Sequence, residues 1–288
     1  MKPAPFEYHR AYTPDEVVEL LTELGDDAKI LAGGQSLAPM LNFRLARPTA
    51  LVDINQVSGL DYIRRDGDTL RVGALTRHRA LETATTAEVR DGFDLLPRAA
   101  RWIGHYPIRS RGTVGGSIAH SDPTAEWCIL ARLFDAEIVV LGESGTRHVP
   151  SADWFTGFLT TTAEPNEVVV ETRFNNPRPY GALTEYARRR GDFAIAAAAV
   201  AFDVTGGACT NVGIVLGGVG TEPLRIAEAE AIVAGAEPTE ATWAEAARCA
   251  AAAIKPGGDV HGDEHYRRHL VETLTFRAFA EAYARSAA

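Results

Sequence analysis

The chain has 288 residues, 46% of them hydrophobic and 23% charged, enough to bury more core than one typical domain and too apolar for a disordered chain. Lys and Arg total 29 against 38 Asp and Glu, and the resulting net charge of −9 repels a polyanionic backbone, so nucleic acid is not expected as a partner. No run approaches the roughly 20 apolar residues of a membrane helix, and the first residues lack the apolar stretch of a secretory signal, so the expected location is the cytoplasm, with no integral membrane segment.

Thr13-Pro14-Asp15-Glu16 reads as a helix start: a hydroxyl cap, proline in the first turn and a glutamate that can reach back to the cap. Val17, Val18, Leu21 and Leu24 then share one face, and Gly25 ends the run. Residues 29–32 read as a short buried strand, followed by a turn at Gly33-Gly34-Gln35-Ser36, a short helix through Leu45 and a second strand over 50–54. Strand is expected again over 69–74, and helix over 80–83 and 94–103. Periodicity fails across His105-Tyr106-Pro107-Ile108-Arg109-Ser110-Arg111-Gly112, which predicts a loop leading into a second glycine turn, Thr113-Val114-Gly115-Gly116-Ser117. A helix over 125–134 and strands over 137–141 and 167–174 follow.

Asn175-Asn176-Pro177-Arg178-Pro179 is the most linker-like stretch and places a domain boundary. Beyond it, apolar runs over 193–202 and 212–219 joined through Gly206-Gly207 predict an antiparallel hairpin, and alanine-rich segments over 223–234, 238–253 and 263–284 predict helices. The expected class is α+β. Residues 1–176 form one domain, with subdomains of 1–55 and 56–176, and residues 177–288 form a small antiparallel sheet backed by helices.

The two glycine pairs, each followed by a hydroxyl residue, carry the chemistry. Without a Cβ, glycine lets the backbone approach a ligand and turn several N–H groups into one concavity, which holds a diphosphate without a lysine. Ser36, Thr113 and Ser117 add hydroxyl donors, and nearby helix starts favour negative charge. A tight turn uses Gly-Gly for purely conformational reasons as well, and that reading stands beside the first. The chain has neither Gly-x-x-x-x-Gly-Lys-Ser nor Gly-x-Gly-x-x-Gly after a strand, which disfavours a P-loop nucleotidase and a Rossmann dehydrogenase.

His120, Asp122 and Glu126 follow within seven residues and invite acid–base or metal readings. Asp122 before Pro123 is equally an N-cap, and His120 equally a histidine satisfied by backbone groups. Glu126, one turn on, could accept hydrogen bonds from ribose or ribityl hydroxyls. Arg109, Arg111 and the run Arg188-Arg189-Arg190 read as solvated charge, with a ligand-facing role for Arg188 as the other reading. Trp102, Trp127, Trp154 and Trp243 read as core or interface anchors. Cys128, Cys209 and Cys249 lie too far apart in sequence for a metal knuckle or disulfide framework and read as small semi-buried side chains, so any iron–sulfur cluster or zinc belongs to another chain.

The segments Leu31-Ala32-Gly33-Gly34-Gln35-Ser36-Leu37-Ala38-Pro39-Met40-Leu41-Asn42-Phe43-Arg44-Leu45 and Thr113-Val114-Gly115-Gly116-Ser117-Ile118-Ala119-His120-Ser121-Asp122-Pro123-Thr124-Ala125-Glu126 resemble the FAD-binding medium subunits of carbon monoxide dehydrogenase and its relatives in the xanthine dehydrogenase family. The likeness extends over essentially the whole chain, including residues 50–54, Glu167-Val168-Val169 and Arg189-Arg190-Gly191-Asp192-Phe193-Ala194. It implies an FAD domain of the vanillyl-alcohol-oxidase (PCMH) type, two α/β subdomains with FAD between them, and then a smaller carboxy-terminal domain.

By position, the resemblance puts the diphosphate on Ile30, Leu31, Ala32, Gly33, Gly34, Gln35, Ser36 and Leu37 and on Thr113, Gly115, Gly116 and Ser117. His120 and Asp122 join the cofactor-binding set, Glu126 is its acidic ligand, Val169 a backbone contact, and Arg188 or Tyr186 the neighbour of the isoalloxazine ring. Glu185 stands where a lysine is common in the family. The molybdenum cofactor and the [2Fe-2S] clusters are implied on a separate large and a separate small subunit, assembled as a dimer of heterotrimers. The implied role is to pass electrons from a cluster to an external acceptor, with no catalytic side chain and no metal in this chain. Two alternatives stay open: a stand-alone FAD-dependent reductase or oxidase of the same fold, resembling UDP-N-acetylenolpyruvoylglucosamine reductase, and a flavin-free scaffold.

Overall fold

The computed structural model describes residues 1–286. Strand β1 (Glu7–Arg10) leads into helix α1 (Pro14–Leu24), whose start is the reciprocal cap expected from its sequence. Thr13 Oγ1 accepts from the Glu16 amide at 3.2 Å and Glu16 Oε2 accepts from the Thr13 amide at 3.3 Å. Gly25, at φ 76°, ends the helix where an L side chain would be strained. Strands β2 (Ala28–Leu31) and β3 (Ala50–Asp53), with helix α2 (Leu37–Asn42) between them, complete a parallel sheet ordered β1-β3-β2. Val17, Val18 and Leu21 pack against Ala50, Val52 and Ile54. Because β2 lies at the sheet edge, Ile30 and Leu31 are only half-buried, which corrects the expectation of a buried strand.

Strands β4 (Ile63–Asp66) and β5 (Thr69–Gly73) open a second unit, and the chain then coils through α3 (His78–Glu82), α4 (Ala87–Phe93), α5 (Leu95–Ala99), α6 (Tyr106–Arg111), α7 (Val114–His120) and α8 (Glu126–Leu133). It returns as β6 (Glu137–Gly142), β7 (Gly145–Pro150), α9 (Ser151–Trp154), the small ribbon of β8 (Phe155–Gly157) and β9 (Thr160–Thr161), and β10 (Val168–Phe174). The sheet is antiparallel and ordered β4-β5-β10-β6-β7, so its last strand inserts at the centre. Val114, Ile118, Trp127, Ile129 and Leu130 are fully buried in one core with Leu70, Val72, Ile138 and Val140.

Two expectations fail here for physical reasons. Residues 105–112 are not a loop but contain α6, none of whose residues is buried, so no apolar stripe exists for a period to reveal. Arg109 holds it instead, donating to the carbonyls of Ile103 at 3.1 Å and Gly104 at 3.0 Å and pairing with Glu82 at 2.8 Å. Nor are Gly115 and Gly116 a turn: they lie in the first turn of α7, which Thr113 caps. Of the tryptophans, Trp127, Trp154 and Trp243 are core residues, while Trp102 is exposed.

The third unit is an antiparallel sheet of β11 (Tyr180–Tyr186), β12 (Ala196–Thr205), β13 (Ala208–Gly217) and β14 (Leu224–Arg225), in that order. The expected hairpin turns through Gly206 and Gly207, at φ 61° and 84°, the doubly positive backbone of a two-residue turn that matches strand twist. Helices α10 (Ala227–Val233), α11 (Glu240–Ala253) and α12 (Glu264–Ser286) follow; part of the stretch read as helix from 223 is instead β14.

Residues 196–201 are wholly buried because the sheet is covered on both sides. Ala197, Ala199 and Ala201 join Leu183 and Val215 in the core containing α7 and α8, whereas Ala196, Ala198 and Phe202 join Trp243 and Phe279 of α11 and α12. Two-sided burial overrides the helix propensity of an alanine run. The Trp243 and Phe279 rings stack with centroids 4.7 Å apart and planes 2° from parallel. Among the described residues, no helix is long and apolar enough to cross a membrane.

Candidate functional site

The first glycine segment leaves the edge strand β2 at Leu31 and enters α2 at Leu37. Gly34 sits at φ 68° and Gln35 Nε2 folds back onto the Gly33 carbonyl at 3.0 Å. Among the described residues, the backbone N–H groups of Gly33, Gly34, Gln35 and Ser36 have no protein acceptor. Four consecutive free donors at a glycine bend make the kind of concavity that binds an anion. Residues 30–34 and Leu37 are half-buried, while Gln35 and Ser36 are exposed.

The second segment lies against the first. A Cβ on Gly33 would stand 2.4 Å from the Arg111 carbonyl oxygen and 2.7 Å from Gly112 Cα, and one on Gly116 would lie 3.9 Å from the Ala32 Cβ. Its amides, however, are already engaged. Val114 N donates to Thr76 O at 3.0 Å, Gly115 N to Ala74 O at 3.0 Å, Gly116 N to Thr113 Oγ1 at 3.1 Å and Ser117 N to Thr113 O at 3.1 Å. The expectation that both glycine pairs present main-chain donors is therefore corrected to the first pair. Gly115 serves packing, since its Cβ would fall 2.4 Å from that of Ala74, and the second segment keeps the hydroxyl protons of Thr113 and Ser117 as its donors. Val169 stands on the neighbouring β10, where the Val170 carbonyl accepts from Ala74 N at 3.0 Å.

Two residues that sequence reasoning passed over tie the segments together. Asn55 Nδ2 donates to Ala32 O at 2.8 Å, Arg77 Nη2 donates to Asn55 Oδ1 at 2.8 Å, and Arg77 Nη1 donates to Arg111 O. Only the partial cue of Asp53-Ile54-Asn55, with Asp53 Oδ1 accepting from Asn55 N at 2.9 Å, was visible in the sequence.

His78 supports the same junction from inside. Its amide donates to Gly112 O at 3.0 Å, and its Nδ1 accepts from the buried Trp127 Nε1 at 2.9 Å. Burial, with the charges of Arg77 and Arg109, pushes its pKa from 6.5 down to about 3. The unfolded chain thus takes up a proton that the folded chain refuses, so the stabilisation is complete above pH 6.5 and is lost as pH falls toward 3. We expect this to cost about 2 kcal/mol between pH 6.5 and 5. In urea titrations the stability gap between wild type and His78→Gln should shift by that amount in favour of the variant, because Gln can accept from Trp127 without titrating. Parallel pH curves for the two proteins would rule the idea out.

At the far end of α7, roughly 10 Å along its axis, the acidic residues gather. Asp122 does not cap α8: its Oδ1 accepts from Thr124 N at 2.8 Å and Thr124 Oγ1 at 2.7 Å, and Ala125 takes the N-cap position. The imidazole of His120, the half-buried last residue of α7, has no hydrogen-bond partner among the described residues. Glu126 begins α8. On β11, Glu185 pairs in register with Ala197, so it shares the sheet face that packs toward α8. Burial foremost, then the charges of Glu185 and Asp122, raises the Glu126 pKa, and burial raises that of Glu185. Neither carboxyl has an ion-pair partner among the described residues; Glu126 accepts from its own backbone amide, and both carboxyls keep oxygens that can hydrogen-bond a ligand.

Tyr186 is exposed and meets Tyr266 edge-on at 6.4 Å, and Arg188 Nη2 donates to Val260 O at 3.1 Å. Arg188 lines a cavity of about 640 Å³ with Pro123, Thr124, Asp192 and Phe193. The predicted residues thus fall in two groups at the two ends of α7: glycine segments with Val169 at one, and His120, Asp122, Glu126 and the Tyr186–Arg188 strand end at the other. Among the described residues no cluster of His, Cys, Asp or Glu is placed to hold a metal ion.

The family described as the FAD binding domain in molybdopterin dehydrogenase matches residues 4–176, and that described as the CO dehydrogenase flavoprotein C-terminal domain matches residues 181–282. The chain is 40% identical to the 6-hydroxypseudooxynicotine dehydrogenase complex subunit alpha of Paenarthrobacter nicotinovorans, covering 99% of this chain and 97% of that one. It is 36% identical to the carbon monoxide dehydrogenase medium chain of Hydrogenophaga pseudoflava, over the full length of both. Among solved structures, carbon monoxide dehydrogenase from Hydrogenophaga pseudoflava superposes with a TM-score of 0.94 at 38% identity, covering 99% of each chain. Quinoline 2-oxidoreductase from Pseudomonas putida 86 gives 0.94 at 34% identity, again covering 99% of each.

Proposed function

This chain belongs to the family of FAD-binding medium subunits of molybdenum hydroxylases, and from that premise we propose that it is the flavin relay of a heteromeric oxidoreductase, taking electrons from iron–sulfur clusters of a small subunit and passing them to an external acceptor. In this reading a large subunit carries the molybdenum cofactor and the substrate chemistry, the assembly is a dimer of heterotrimers, and the complex works in the cytoplasm. The observation that carries it is the abutment of the two glycine segments, with four free amides on one and two free hydroxyls on the other. Such donors fit a diphosphate, and the close approach of Gly33 to Arg111 O leaves a bend that a side chain would fill.

FAD, when bound, supplies the redox chemistry, exchanging single electrons with clusters and pairs with an acceptor. What the chain contributes is binding and orientation. Residues 30–37 and the hydroxyls of Thr113 and Ser117 would hold the diphosphate end, with Gly115 and Gly116 keeping the second segment close against Ala74 and Thr113, and Val169 on the strand beside them. His120, Asp122 and Glu126 would accept from or donate to the ribityl region, and Tyr186 or Arg188 would flank the isoalloxazine ring. The same reading divides the chain at residues 176–177, supported by the end of β10 at Phe174 and the positive φ of Asn176, 65°. The experiment is affinity purification from the native source, with a visible spectrum and analysis of the co-purifying chains. Expected are a yellow protein that releases FAD on denaturation and two further chains, one large with molybdenum and one small with iron and sulfide. Recovery as a single flavoprotein that turns over an organic substrate would favour the stand-alone reductase or oxidase, and a colourless protein the flavin-free scaffold.

A further inference from the structure

Arg77 is a half-buried cation that holds no carboxylate. Its two guanidinium bonds go to neutral acceptors, the Arg111 carbonyl and Asn55 Oδ1, and among the described residues it forms no ion pair. The chain does pair its arginines elsewhere: Arg109 with Glu82, Arg147 with Glu167, Arg178 with Asp135 and Arg267 with Asp259. A partly desolvated guanidinium in contact with no carboxylate, with Asp61 and Asp53 acting on it only from a distance, is costly unless an anion completes it.

Its position says which anion. The Arg111 carbonyl that accepts from Arg77 Nη1 is the atom against which Gly33 is pressed, and Asn55, the second partner, holds the Ala32 carbonyl. The guanidinium therefore reaches the junction of the two segments. Asp53 and Asp61 are the acidic groups whose fields it feels, along with the repulsion of Arg111, and Asp53 is already engaged by Tyr8 and Asn55.

We propose that Arg77 is the counter-charge of the FAD diphosphate, supplying the positive charge that the neutral amides and hydroxyls of the glycine segments lack while buckling those segments together. This rests on the FAD-binding reading above. A planar fork can keep its bonds to Arg111 and Asn55 and still face an anion.

The test is FAD binding by the full-length chain stripped of flavin, followed by quenching of flavin fluorescence at low and high salt, for wild type, Arg77→Lys and Arg77→Gln, with circular dichroism to confirm folding. A charge role predicts that Arg77→Gln binds FAD at least about 10-fold more weakly at low salt and that Arg77→Lys recovers most of the loss. Wild-type affinity should fall with salt, and that dependence should flatten in Arg77→Gln. If Arg77→Lys is as weak as Arg77→Gln, or if wild-type affinity does not respond to salt, Arg77 is a structural buckle only and the proposal fails. A folded wild type that binds no FAD overturns the FAD reading itself, and this inference with it.

Discussion

Replacing Gly33 with alanine is expected to strip the protein of FAD while leaving its secondary structure in place. The added Cβ would stand 2.4 Å from the Arg111 carbonyl oxygen, and the atoms it meets are backbone, held by Arg77 and by the Gly112–His78 bond, so they cannot swing aside as a side-chain tip would. The bend must instead withdraw, carrying the free amides of Gly33 to Ser36 away from the second segment. Losing two charge-assisted hydrogen bonds to a diphosphate costs about 3 kcal/mol, or roughly 100-fold in affinity. Gly25→Ala is the control. It sits at φ 76° and ψ −174° with open space around its Cβ direction, so the backbone strain should lower stability by about 1–3 kcal/mol while flavin content stays unchanged. Full flavin occupancy in Gly33→Ala, measured as the ratio of visible to ultraviolet absorbance, would mean that the contact between the segments does not shape the site.

Legibility in the sequence followed the range of the interaction. The start of α1 was readable because its cap, its proline and its reciprocal glutamate lie within four residues. The Gly206-Gly207 hairpin was readable for the same reason, as both strands flank a turn of two residues. By contrast, α6 is held by one arginine reaching the 103–104 carbonyls and Glu82, a pattern without periodicity. Gly115 looked like half of a ligand turn, yet what demands glycine there is Ala74, some forty positions earlier and brought close by the sheet. The site divides in the same way. The glycines and hydroxyls proposed for it are local words that the sequence displays, but Asn55, Arg77 and His78 act on segments far from them in sequence, and nothing in their own neighbourhoods announces that role. Glu185 stood out only as a departure from a lysine common in the family; its facing of α8 required the register of β11 on β12.

A change far from the flavin should also release it. Trp243 lies on α11, stacked on Phe279 of α12 and packed on Phe202 of β12, and it is almost wholly buried. Truncating such a ring to alanine costs about 3–5 kcal/mol, because the rigid sheet and the long α12 cannot close the void. For a chain of this size that lowers Tm on the order of 10 °C. The opposite face of the same sheet, through Ala197, Ala199 and Ala201, is part of the core that buries α7 and α8, the helices bearing Thr113 and Glu126. Loosening α11 therefore uncovers β12, and uncovering β12 removes one wall of the core behind the proposed flavin site. Trp243→Ala should accordingly shift two signals together: the loss of helical circular dichroism and the rise of free-flavin fluorescence on heating. Were the carboxy-terminal layer an independent folding unit, circular dichroism would show an early partial transition while flavin release stayed at the wild-type temperature, and the shared core would have no energetic consequence. Coincident midpoints, both lowered, would mean instead that the alanine-lined sheet couples the helices behind it to the cofactor in front.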